Sequence, residues 1–164
     1  MSSTATDEEF AVLRGELRLL TDRSAISQLI DLYVITLDTL DKQRYGESHY
    51  QSIFTEDVLL EFPVGEFVGL TGLDDFHREN KAEWATTHHL SANHLVDIHG
   101  DRATARAQVE STHVHHQEHR ERLGLDPGEH FFVGGYYDID AVRTEAGWRL
   151  EKLKLNVTWT AGTW

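Results

Sequence analysis

Ile26, Leu29, Ile30, Tyr33, Val34 and Leu37 recur at three- and four-residue steps, the spacing that lays one apolar stripe along a helix. Thr21 and Asp22 stand just before it and are suited to cap its start. A shorter amphipathic helix is expected over about 8–20, behind an unstructured lead-in at 1–7. Tyr45, His49, Tyr50, Ile53 and Phe54 suggest a short helix or turn, Val58–Phe62 a strand ended by Pro63, and Gly65–Gly69 a turn with a short strand. Thr71 is placed to cap a third helix over about 72–86, with Leu73, Phe76 and Trp84 inward.

After His88 the period changes to two. His89–His99, Ala103–His116, Phe131–Arg143 and Trp148–Thr158 read as strands, with turns at Gly100-Asp101 and Glu145-Ala146-Gly147 and a charged loop at 118–129. Helices first and antiparallel strands afterwards predict a single α+β domain over 8–164, with the helices packed on one curved sheet.

Composition narrows the chemistry. The 164 residues contain no Cys, which excludes disulfides, thiolate metal sites and a cysteine nucleophile, and fits a cytoplasmic setting. The formal charge of −13 argues against nucleic-acid and anionic-membrane partners. No apolar run approaches a membrane span, and the polar, acidic start lacks the basic region of a signal peptide. No phosphate-binding Gly loop, Gly-x-Ser-x-Gly elbow or His-Glu-x-x-His pair is present.

The remaining candidates are proton carriers. Asp38 lies at the edge of the helical stripe, one turn beyond Val34, where it can face a cavity mouth. His88, His89, His94 and His99 surround a helix-to-strand junction and titrate near neutral pH. His113 and His115 share one strand face. They offer either one catalytic imidazole or a metal pair completed by His89 or Glu110. Tyr33, Tyr45, Tyr50, Trp84, Phe131, Phe132, Tyr136 and Tyr137 can line a small-molecule pocket, and Asp138 offers a second acid or base.

Several segments resemble the SnoaL-like family of the nuclear transport factor 2-like superfamily, scytalone dehydratase in particular. They are Ala25-Ile26-x-x-Leu29-Ile30-x-x-Tyr33 followed by Asp38-x-x-Asp41, Phe54-Thr55-Glu56-Asp57-Val58, Thr87-His88-His89-Leu90-Ser91-Ala92-Asn93, Gly100-Asp101-x-Ala103 and Gly147-Trp148-Arg149-Leu150. The resemblance covers about residues 20–160. It implies a cone-shaped α+β barrel, commonly a homodimer paired through the open sheet. It also implies a helix Asp joined by a His from each of two strands, here Asp38, His89 and His113. Two pocket tyrosines of scytalone dehydratase fall on Leu37 and near Phe62, so the substrate is expected to differ more than the acid–base groups. The function expected is a cofactor-free, metal-free dehydratase or cyclase acting on a small hydrophobic or aromatic molecule. Asp38 and His89 would remove a proton and His113 return one. A non-catalytic binding subunit of the same fold, or a His-ligated metal enzyme, are the alternatives.

Overall fold

A computed structural model describes residues 3–39 and 47–164. Its elements run α1 (Ser3–Thr39), α2 (Glu47–Ile53), β1 (Phe54–Phe62), β2 (Gly65–Val68), α3 (Leu73–Lys81), β3 (Trp84–His99), β4 (Arg102–His115), α4 (Gln117–Leu123), β5 (Phe131–Thr144) and β6 (Gly147–Ala161). The six strands form one sheet in the order β2-β1-β6-β5-β4-β3. Only β1 and β6 run parallel; the other neighbours are antiparallel. The sheet is not closed, so the cone has two edges, β2 and β3.

The two helices expected at the N-terminus are one. α1 starts at Ser3, within the expected lead-in, and runs through Thr21 and Asp22 without a break. The physical reason lies in Asp22. Its carboxylate accepts hydrogen bonds from the Trp148 indole at 3.0 Å and from Arg143 at 2.5 Å, so tertiary partners engage the side chain that looked like a cap. α3 is shorter than expected and starts after Gly72, which adopts φ 82° without a side-chain cap. Trp84 opens β3 instead of closing that helix. Part of the charged loop forms the short helix α4.

The core lies between the helices and the inner face of the sheet. Ile26, Ile30, Tyr33 and Val34 of α1 meet Val58 and Leu60 of β1, Tyr137 and Ile139 of β5, and Leu150 and Leu153 of β6. Burying such side chains stabilises the fold by roughly 1.5–3 kcal/mol each. On β4, Ala103, Ala105, Ala107 and Val109 are buried while their neighbours are exposed. Ser111, His113 and His115 follow on the same face toward the other end of the strand.

Candidate active site

At that end lies a cavity of about 420 Å³. Tyr33 and Leu37 of α1, His77 and Lys81 of α3, His89 of β3, His113 of β4 and Tyr137 of β5 contribute to its wall, together with Phe62, Trp84, Phe131 and Trp164. Most of this lining is apolar or aromatic, with a few polar groups set into it, as small-molecule sites require.

Asp38 sits behind the wall and holds it in register. Its Oδ1 accepts a hydrogen bond from His89 Nδ1 at 2.6 Å and one from Thr87 Oγ1 at 3.1 Å. Its Oδ2 accepts the His89 backbone N–H at 2.9 Å. Burial pushes the carboxyl up, but these hydrogen bonds outweigh it and hold Asp38 below its ordinary value. A charged Asp38 takes the proton-bearing Nδ1, which leaves Nε2 as the basic nitrogen of a cavity-lining ring.

His113 stands beside His89, with ring centroids 5.7 Å apart and planes at 80°. Burial and the neighbouring His89 lower its value to about 4, against small opposing effects from the Phe131 backbone and Asp38. The ring is therefore neutral near pH 7. Trp84 packs on it at 4.9 Å.

Of the expected site residues, Asp38, His89 and His113 converge, and Tyr33, Phe62 and Trp84 line the cavity. Tyr45 lies outside the described residues. Tyr50 is buried behind the wall, stacked on Phe54 at 6.4 Å, with burial raising its phenol to about 12. Tyr136 and Asp138 are corrections. They occupy the opposite face of β5, where Arg106 stacks on Tyr136 at 4.3 Å and bonds Asp138 at 2.9 Å. Tyr137, the intervening residue, points inward and is buried. The signal was in the strand itself, since Tyr137, Ile139 and Ala141 alternate with Tyr136, Asp138 and Asp140.

His88 is exposed and His89 is not. Among the described residues, no three His, Asp or Glu side chains gather as metal ligands. His115 instead bonds the Thr163 carbonyl oxygen at 2.9 Å, and Glu110 is exposed on the alternate face of β4.

Lys81 and His77 line the cavity and escaped the sequence reading. Lys81 donates to the main-chain oxygen of Asp38; burial lowers its ammonium while Asp38 opposes the shift. His77 is buried, and its Nε2 lies 3.4 Å from the Tyr33 hydroxyl. Leu73, Phe76 and His77 at i, i+3 and i+4 already place that imidazole on the inward face of its helix.

The sequence matches the model of the SnoaL-like domain over residues 18–154. The fold is similar to the Kfla4162 protein of Kribbella flavida, with 28% identity, TM-score 0.73, and 87% of this chain and 95% of that one covered. It is also similar to a protein of Novosphingobium aromaticivorans provisionally named scytalone dehydratase, with 19% identity, TM-score 0.69, and 88% and 89% covered. A third is the hexachlorocyclohexane dehydrochlorinase LinA-type3 of Novosphingobium barchaimii, with 17% identity, TM-score 0.73, and 90% and 94% covered. The latter two likenesses speak to fold alone. No curated protein matches the sequence.

Proposed function

The chain belongs to the SnoaL-like domain family, and on that premise we propose that it is a lyase or cyclase working by proton transfer between side chains on a small, largely apolar molecule. The observation that carries this reading is the 2.6 Å contact between His89 Nδ1 and Asp38 Oδ1 beside a cavity. A partly buried carboxylate that orients an imidazole and stabilises its charged form makes the other ring nitrogen an effective base.

For a water-losing substrate the steps balance as follows. His89 Nε2 takes a proton from a carbon next to a carbonyl, and the electron pair moves onto the carbonyl oxygen as an enolate. The enolate then expels the β-hydroxyl, whose carbon–oxygen bond breaks with its electrons on oxygen. The proton held by His89 returns to that oxygen and water leaves. His113, neutral as its depressed value requires, serves as a hydrogen-bond donor to the enolate or leaving oxygen, a change from the proton-returning role expected of it. Lys81 supplies positive charge at the same wall. The homodimer expected through the open sheet belongs to the same proposal. It would use the outer face that carries Tyr136 and Asp138.

A panel of aromatic β-hydroxy ketones tests the reading, with the conjugated enone followed by its absorbance. Turnover is expected in the wild type. Its loss is expected in Asp38→Asn and His89→Ala, with the circular dichroism unchanged. Full activity in both variants rejects the assignment. Tight binding of a ketone that emerges unaltered favours a binding protein of the same fold.

A further inference from the structure

His77 is a buried imidazole that the proton-transfer scheme does not use. It is 6% exposed and belongs to the cavity wall. Around it stand four aromatic rings. Tyr33, Tyr50, Phe62 and Phe76 have centroids 5.6, 5.9, 6.2 and 5.4 Å from its own. Of its two nitrogens, Nε2 has the Tyr33 hydroxyl at 3.4 Å. Nδ1 makes no hydrogen bond among the described residues. A polar ring placed in such a nest is costly unless something satisfies it. Phe would fill the same space without that cost.

Tyr33 is itself fully buried, and His77 Nε2 is the one hydrogen-bond partner its hydroxyl has among the described residues. A phenol is the better donor of the two, which assigns the Tyr33 O–H as donor to Nε2 and the proton of the neutral ring to Nδ1. Burial and the nearby His89 keep the ring uncharged, against a smaller opposite effect from Asp74. The ring thus offers an N–H to a neutral oxygen and holds no cation for a carboxylate or phosphate.

We propose that His77, positioned by Tyr33, is a second recognition point in the cavity, and that the substrate is a largely apolar molecule carrying two oxygens: one that reacts at His89 and another, a neutral hydroxyl or carbonyl, that accepts a hydrogen bond from His77. This rests on the proton-transfer reading only for the role of His89, since the His77 contact is a matter of binding. His77 is a contact residue for substrate and Tyr33 a positioning residue.

The test uses two matched probes, 2-naphthol and 2,7-dihydroxynaphthalene, with binding read from the fluorescence of the wall residues Trp84 and Trp164. One well-formed hydrogen bond predicts that the wild type prefers the diol by roughly five-fold. His77→Phe should abolish that preference while keeping 2-naphthol affinity. His77→Asn retains a donor and guards against a folding defect in the first variant; it should keep part of the preference. Tyr33→Phe should reduce it without changing 2-naphthol binding, which a merely structural Tyr would not do. Asp138→Asn, on the outer face of the sheet, should leave the ratio intact, and failure of the catalytic reading is seen separately in the enone assay. The proposal is overturned if the wild type shows no preference or binds neither probe. An equal preference in His77→Phe overturns it too.

Discussion

The indole of Trp148 donates to Asp22 Oδ1 across 126 positions of sequence, at 3.0 Å. Arg143 reaches the other oxygen of the same carboxylate and also lies over the Trp148 ring at 4.4 Å. The early helix is thereby tied to the last hairpin at the end of the molecule away from the cavity. Replacing Asp22 with Ala leaves the buried indole N–H without its partner and the Arg143 guanidinium with Asp101 alone, and should lower stability by about 1–3 kcal/mol. Urea titration would check it, and Trp148→Phe should lose less because it removes the donor too. The hydrogen bond from Arg143 outweighs burial and holds Asp22 below its ordinary value. Its contribution is therefore present above about pH 3.8 and lost as the pH falls through the folded value. An unchanged urea midpoint in Asp22→Ala would show that the contacts do not stabilise the fold.

Thr87 donates to the Asp38 oxygen that also holds the His89 ring. Thr87→Val keeps the shape and deletes the donor. We expect turnover of a β-hydroxy ketone to fall about 10–100-fold, as outer-shell losses do, with little change in KM. Thr87→Ser should recover most of it. A KM effect with unchanged kcat would place Thr87 in packing instead.

Burial holds two imidazoles down, His77 to about 3 and His113 to about 4. In the unfolded chain both take up protons once the pH drops below about 6.5. In the folded chain they stay neutral until much lower pH. Stability is therefore complete above about pH 6.5 and declines as the pH falls toward 4. The melting temperature should drop between about pH 7 and 5, and His77→Phe should flatten that slope. A slope identical to wild type would mean that the ring gains its proton in the folded state as readily as in the unfolded one.

Tyr136 and Asp138 lie on the outer face of the sheet, paired with Arg106. Tyr136→Ala and Asp138→Asn should leave turnover within about two-fold, the scale of an exposed change distant from the chemistry, whereas Tyr137→Ala should abolish it. Sedimentation of the same variants reports on pairing through the open sheet. A large rate loss in Asp138→Asn would return that carboxylate to the site.

The sequence by itself determined the order of elements, apart from the split expected in α1 and the unexpected α4, and the inner face of β4, where Ala103, Ala105, Ala107 and Val109 alternate with polar residues. Local pattern also offered Asp38 and several imidazoles as proton carriers, and the resemblance to the SnoaL-like family picked Asp38, His89 and His113 out of them. Pattern alone could not decide between His88 and His89. β3 is interrupted between Trp84 and Thr86 and again between Ala92 and Leu95, where Asn93 takes φ 52°. Each bulge shifts which residues face inward, so the buried or half-buried set passes from Trp84 to Thr87, His89 and Ser91, then to His94, Val96 and Ile98. Such shifts come from pairing with β4 and packing on α1. For the same reason Asp22 looked like a cap, and His77 drew no notice until α3 folded it against Tyr33. Local periodicity says what can face inward; contacts between distant segments choose what does.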